Sequence, residues 1–174
     1  FGVFSSECGF EPYERDDGLW GNDDFVPENL AYNSYLNEQG YEGLNPWHDY
    51  ANSHEGPNGE ILSGWQIRNN HLPARIKEEH SETAYMTSRA MDFITETGDD
   101  PWCLHLSYIK PHWPYVAPAP YHNMYGHNDM IPVNRHSSEK ENAHPVYKFF
   151  MGRPDCETFS RDEVRNNVIP AYMG

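Results

Sequence analysis

The sequence predicts an α/β fold in which irregular loops outweigh regular elements. A strong helix signal over residues 78–97 is followed by a tight turn and by an almost wholly apolar run over residues 102–109. A helix, a tight turn and a buried strand in this order make half of an α/β unit. The 14 Pro and 13 Gly residues favour loops over long regular elements.

The first part of the chain, residues 1–72, is predicted to be a loop-rich excursion with one short helix. Pro27 suits the first turn of that helix, and Gly40 is a natural C-terminal stop. Between Asn45 and Leu72, G-P and N-G turn signals surround "EILSGW". This pattern predicts a short hairpin or a surface excursion.

Residues 73–121 are predicted to supply a helix, a core strand and a stiff loop. The helix from Glu78 to Thr97 ends before Gly98, and its apolar stripe follows a spacing of three or four residues: Ala84, Thr87, Ala90, Met91 and Ile94. "WCLHLSYI" is typical of a strand that is covered on both faces. Cys103 in that run is expected to be a small buried hydrophobe.

Residues 122–174 are predicted to form a loop and a final helix. "SRDEVRNNVI" begins this helix, with Ser160 as the N-cap and Glu163 completing a capping box. Half of an α/β unit cannot make a sheet, so we expect the neighbouring strands to lie outside this sequence. The chain begins at Phe1 without an initiating Met, and we expect it to be an internal segment of a larger domain.

Composition limits the classes of partner. The 27 Asp and Glu residues against 12 Lys and Arg give a formal net charge of −15. Such a charge argues against a nucleic acid or an anionic membrane as the partner. Three cysteines (Cys8, Cys103 and Cys156) without a C-x-x-C pair do not describe a disulfide framework, which favours a reducing, cytoplasmic location.

The stretch "SYIKPHWPYVAPAPY" is the strongest candidate for chemistry, because ligands in open α/β sheets bind beyond the carboxyl ends of the strands. If the chain stays near β geometry, Tyr108, Lys110 and His112 share one side; in polyproline-II geometry they diverge. Lys supplies a point charge for a phosphate or sulfate oxygen, and His supplies a hydrogen bond or a proton near neutral pH. The alternative is a solvated Lys110 and a packed His112.

Other candidates are weaker on spacing alone. His122 and His127 lie in a loop without a known metal-ligand pattern. The acidic "DDGLWGNDD" lacks the spacing of an EF-hand. The helical Ser81, Glu82 and Thr83 have no partner base in view, and the P-x-x-P over residues 111–114 follows a buried strand.

Two longer stretches resemble a known family. "HLPARIKEEHSETAYMTSRAMDFI" and "PWCLHLSYIKPHWPYVAPAPYHNMY" are similar to the middle of sulfatase-like hydrolases of the alkaline phosphatase superfamily, and most similar to the phosphonate monoester hydrolase/phosphodiesterase branch. Lys-Pro-His followed by further prolines is the most specific part. The resemblance implies that residues 1–174 form an internal segment of one sulfatase-like catalytic domain, part of an alkaline-phosphatase-like α/β/α sandwich.

The resemblance also implies a chemistry. Such enzymes cleave phosphonate monoesters, phosphodiesters or sulfate esters with a divalent metal ion and a formylglycine nucleophile made from the Cys of a C-x-P-x-R motif. His112 matches the histidine that contacts the anionic group or assists the leaving oxygen. Lys110 matches a Lys or Arg position and is expected to bind substrate. From their position alone, Tyr108 and Tyr115 are expected to line the substrate pocket.

The sequence departs from the family pattern at the nucleophile and the metal site. None of the three cysteines begins a C-x-P-x-R, and the paired metal ligands of the family are not found in context. We therefore assign no metal ligand here and expect the segment alone to be inactive. The alternative is a catalytically inactive sulfatase-like domain, or a binding module that uses the aromatic proline-rich loop.

The expected partner is a small anionic ester, and neither nucleic acid nor membrane is expected. The sequence is also compatible with a homo-oligomer and with a periplasmic or secreted location.

Overall fold

A computed structural model of the chain describes residues 9–14 and 30–174. Pro27, Cys8 and the acidic stretch "DDGLWGNDD" lie outside the described residues. Five α-helices are present in the described part: α1 (Ala31–Glu38), α2 (Glu82–Thr97), α3 (Pro145–Met151), α4 (Pro154–Ser160) and α5 (Asp162–Met173). None of the helices in this part is both long and apolar enough to cross a membrane.

The strands β1 (Ser53–Glu55) and β2 (Ile61–Ser63) pair in an antiparallel hairpin, with Ser53 opposite Ser63. Gly59 has a φ of +82°, a conformation that glycine adopts at no steric cost, in the turn between them. Of the two outcomes predicted for the "EILSGW" region, the hairpin is the one observed.

Short helical turns connect these elements. A π-helical turn spans Trp47–Ala51, immediately before β1. The remaining turns are 3₁₀-helical: Ile67–Asn69, Glu78–His80, Tyr121–Asn123, His127–Asp129 and Ser137–Lys140.

The core combines aromatic side chains with smaller aliphatic ones such as Leu36 and Ile76. The rings of Tyr32 and Tyr35 on α1 each lie 5.0 Å, centroid to centroid, from the ring of Tyr85 on α2. Trp47 of the π-helical turn is buried in the same cluster. Tilted aromatic pairs at such distances add to the free energy gained by burying their surface. The N-terminal half of the described chain therefore packs around a contact between α1 and α2.

The helix predicted from Glu78 begins later, at Glu82. Ser81 has extended backbone (φ −62°, ψ 156°), and its Oγ accepts a hydrogen bond from Ala84 N at 3.3 Å, so Ser81 is the N-cap of α2. Gly98 follows the end of the helix with a φ of +59°, as predicted.

The predicted apolar face of α2 is wrong in part. Tyr85 and Ala90 are buried, but Met91 and Ile94 are 56% and 42% exposed. The predicted stripe runs mainly through aliphatic residues, whereas Tyr85 is the large side chain of α2 that packs in the core.

Residues 102–109 differ from the predicted buried strand. They have no regular secondary structure, and Trp102, Cys103 and Ile109 are exposed or nearly half-exposed. A strand needs a neighbour for its backbone groups, and the two-stranded hairpin is the one sheet in the described part of the chain. Without a paired strand, the apolar side chains of this segment have no sheet face to cover them.

The final helix begins at Asp162, and Arg161 is its N-cap residue. The prediction that Ser160 caps this helix is wrong, since Ser160 is the last residue of α4 and its Oγ donates to Glu157 O at 2.7 Å. Pro154 in the first turn of α4 favours a separate short helix there. A break at Arg161 then separates α4 from α5.

Candidate functional site

The proline-rich stretch forms a tight turn. It does not continue in the extended β geometry that was one of the two predictions. His112 N donates to Ile109 O at 2.8 Å, which closes a tight turn around Lys110 and Pro111. The chain then reaches the core, where Val116 and Ala117 are buried. We call residues 110–114 the histidine turn. It lies between this buried anchor and Tyr108.

His112 is exposed on the histidine turn. Its Nδ1 lies 2.6 Å from the carbonyl oxygen of Trp113. Because a carbonyl oxygen only accepts hydrogen bonds, Nδ1 carries the proton and donates. This contact fixes the tautomer and leaves Nε2 as the ring nitrogen that can face a ligand.

Lys110 points into the protein and is half-buried. Its Nζ donates to Asn52 Oδ1 at 3.3 Å and to Pro114 O at 3.2 Å. Burial lowers the pKa of the Lys110 ammonium, and the nearby Glu82 carboxylate raises it. Lys110 and His112 are therefore close in sequence but have separate surroundings.

The two tyrosines predicted to line the pocket contact two different helices. Tyr108 Oη lies 2.7 Å from Thr87 Oγ1 on α2, and the Tyr108 side chain is 40% exposed. The ring of Tyr115 packs edge-on against Tyr172 of α5, with 6.0 Å between centroids. Tyr108 and Lys110 also line a shallow cleft with Glu82, Thr83 and Met86.

Residues that the sequence did not single out surround the histidine turn. Trp113 packs edge-on against Trp65, which follows β2, with 4.7 Å between ring centroids. Asn52 is buried and holds the Lys110 ammonium. In sequence, Asn52 is one of several asparagines in an irregular stretch, so no spacing or motif marks it as part of the site.

A metal ion does not fit the residues that the structure describes. Across residues 9–14 and 30–174, no group of three or more His, Cys, Asp or Glu side chains is arranged to hold one. His122, one of the weaker candidates, has a pKa lowered by burial, and His127 lies in the next helical turn.

Comparison with known proteins supports the family resemblance. Over 81 residues, 45% of this chain, the sequence is 40% identical to the multifunctional alkaline phosphatase superfamily protein PehA of Trinickia caryophylli. The structure matches 82% of the chain to the phosphonate monoester hydrolase SpPMH from Silicibacter pomeroyi, with a TM-score of 0.61 and 24% sequence identity. No protein-family model matches the chain.

The chain spans 16% of the length of PehA and 28% of the SpPMH chain. The resemblance to the alkaline phosphatase superfamily is confirmed by the similarity to PehA. The predicted fold class, an α/β segment of an alkaline-phosphatase-like fold with much irregular loop, is confirmed as well.

Proposed function

From this resemblance we propose that the intact protein hydrolyses small anionic esters: phosphonate monoesters, phosphodiesters or sulfate esters. The observation that carries the proposal is the exposed His112 on a turn whose following residues are anchored in the core. A histidine that is fixed in orientation and open to solvent can meet a substrate without rearrangement of the chain. The relatives named above supply the class of reaction.

His112 is proposed to contact the anionic group or to give a proton to the leaving oxygen. Its Nδ1–H is held by the Trp113 carbonyl, so Nε2 is the atom that faces the substrate. An imidazole ionises near neutral pH and therefore suits the transfer of a proton to a departing alkoxide or phenoxide.

Tyr108 and Tyr115 are proposed to flank the substrate. Each precedes or follows the histidine turn closely in sequence, and each is held by a contact to a helix, α2 and α5 respectively. Their rings would offer apolar surface to the ester, and their hydroxyl groups would offer it hydrogen bonds.

The divalent metal ion and the formylglycine that the resemblance implies are proposed to come from outside this segment. The described residues do not fit a metal, and no cysteine of the chain begins a C-x-P-x-R motif. The proposed contribution of this chain is therefore the histidine turn and the side chains around it.

The first test replaces the histidine in the intact protein. We expect His112→Ala to lower kcat for an aryl phosphonate monoester or phosphodiester by about 10²–10⁴-fold, the usual contribution of a general acid or base. An aryl sulfate is assayed in parallel to decide between phosphorus and sulfur. The matched control is His105→Ala, which removes another exposed histidine from the neighbouring segment.

An unchanged rate in His112→Ala would reject the role assigned to this side chain. A folded intact protein that hydrolyses none of the three ester classes would reject the enzyme proposal. It would favour the alternative, a catalytically inactive sulfatase-like domain or a binding module.

A further inference from the structure

Lys110 is engaged with the protein rather than turned to the solvent. An ammonium group has three donors and no acceptor. Two neutral oxygens receive its hydrogen bonds, Asn52 Oδ1 at 3.3 Å and Pro114 O at 3.2 Å. Pro114 lies four residues after Lys110, so this hydrogen bond joins the first and the last residue of the histidine turn.

Asn52, whose Oδ1 accepts the hydrogen bond from Lys110, is itself held in place. Asn52 is 1% exposed, and its Nδ2 donates to Trp47 O at 3.0 Å. Asn52 O accepts a hydrogen bond from Gly64 N, also at 3.0 Å. A side chain at position 64 would collide with that oxygen, since an added Cβ would lie 2.4 Å from it. The π-helical turn and the hairpin therefore hold Asn52 in place from two sides.

A second contact joins the histidine turn to the same hairpin. The Trp113 ring packs edge-on against Trp65, one residue beyond Gly64. Lys110 thus fixes the turn by a hydrogen bond to the backbone oxygen of Pro114, and Trp113 fixes it by a contact between two side chains. Asn52 immediately precedes β1 and Trp65 follows β2, so both contacts end at the open end of the hairpin.

The charge balance around Lys110 suits an internal anchor. Burial lowers the pKa of the ammonium, and the nearby Glu82 carboxylate offsets part of that effect. Glu82 is itself buried and accepts a hydrogen bond from Trp47 Nε1 at 3.3 Å. Lys110 thus finds an opposite charge and two hydrogen-bond acceptors within the protein itself.

We propose that Lys110 is a positioning residue: it ties Pro114 to Asn52 and so holds the histidine turn, and with it His112, in the geometry used for ester hydrolysis. The inference rests on the proposed function of His112. It replaces the role of direct substrate binding that the sequence alone predicts for Lys110.

The test uses the intact protein and two variants that remove one end of the contact each. Lys110→Met removes the donor and keeps most of the side-chain volume, and Asn52→Leu removes the acceptor. Each is expected to lower kcat about 10- to 100-fold with KM within about twofold, as for a catalytic group that is misplaced by about 1 Å. Lys77→Met is the matched control, because the Lys77 side chain is 69% exposed.

A second measurement does not depend on turnover. Tertiary packing of aromatic side chains gives a near-ultraviolet circular dichroism spectrum. Trp65→Phe identifies the part of that spectrum that comes from the Trp65–Trp113 pair. Lys110→Met and Asn52→Leu are both expected to lose that part, whereas Lys77→Met retains it.

The opposite result is a rise in KM for Lys110→Met with kcat and the spectrum unchanged, together with an unaffected Asn52→Leu. That result would overturn the inference and return Lys110 to direct substrate binding. Equal behaviour of Lys110→Met and Lys77→Met would overturn it too.

If Lys110→Met does not fold, Lys110→Arg replaces it, because the cleft beside Lys110 leaves room for a longer cation. A retained tryptophan signal in Lys110→Arg supports the anchor, and a lost one rejects it. Absence of hydrolysis by the unmutated protein would reject the proposed function alone, because the spectrum still tests the anchor.

Discussion

His54 on β1 is a fully buried histidine beside the candidate site. Its Nδ1 lies 2.9 Å from Leu72 O, while its Nε2 has no hydrogen-bond partner among the described residues. Burial lowers the pKa of His54 to about 4, and the charges of His71 and Lys110 act in the same direction. The folded protein therefore keeps this imidazole neutral.

This histidine is expected to make the stability of the protein depend on pH. Its pKa is about 4 when folded and 6.5 when unfolded, so between these values the unfolded chain binds more protons. The stabilisation is complete above pH 6.5 and is lost as the pH falls towards 4, by at most about 3 kcal/mol. Chemical unfolding of the protein and of His54→Gln across this range measures the difference. Parallel pH dependences of the two proteins would contradict the prediction.

At the scale of single residues, the sequence predicts the residues of a candidate site but not the side chains that hold them. The Lys-Pro-His motif marks Lys110 and His112 because proline restricts the chain around them. The motif contains no information on Asn52, which lies 58 residues before Lys110. A contact between side chains so far apart in the sequence depends on the packing of the hairpin, and no local pattern encodes that packing.

At the scale of elements, the start of α2 is set by one side chain. Ser81→Ala removes the acceptor for Ala84 N and is expected to lower the free energy of unfolding by about 1 kcal/mol, a typical loss for an N-cap. Ser88→Ala, at an exposed position inside the same helix, is the control and is expected to be neutral or slightly stabilising. Unfolding in urea compares the two variants. Equal effects of the two substitutions would show that Ser81 is not a cap.

Helices with strong end signals could be predicted, and their faces could not. Gly40 and Gly98 end α1 and α2 at backbone conformations that favour glycine, with φ values of +89° and +59°. The capping pattern at Ser160 was misleading, because Pro154 begins a separate helix that includes this serine. End signals are local, but the choice between competing helices depends on what each one packs against.

At the scale of the whole molecule, many large apolar side chains stay exposed in the described chain. Trp102, Leu106 and Ile109 of the predicted strand are 36–48% exposed, and Phe149 of α3 is 70% exposed. Exposed apolar surface of this extent binds hydrophobic dyes. We expect residues 1–174, produced alone, to bind such a dye strongly and to hydrolyse no ester. The intact protein is the control, and weak dye binding by the isolated chain would contradict the prediction.

The fold class could be predicted from the order of helix, turn and apolar run, but the sheet could not be located within the chain. The run over residues 102–109 has the composition of a buried strand and finds no strand to pair with in the described part. The composition of a segment indicates that it is suited to a buried strand. It does not indicate whether the partner strands lie in the same stretch of chain.

The contact between Lys110 and Asn52 also has a consequence for the order of folding. A ribosome releases the π-helical turn and the hairpin well before the histidine turn, because they precede it in the sequence. The receiving surface at Asn52 and Trp65 can therefore be in place when Lys110 and Trp113 emerge. Closing a loop of 58 residues onto an existing surface costs the entropy of one closure. We therefore expect the candidate site to be completed when the later segment docks onto the earlier one.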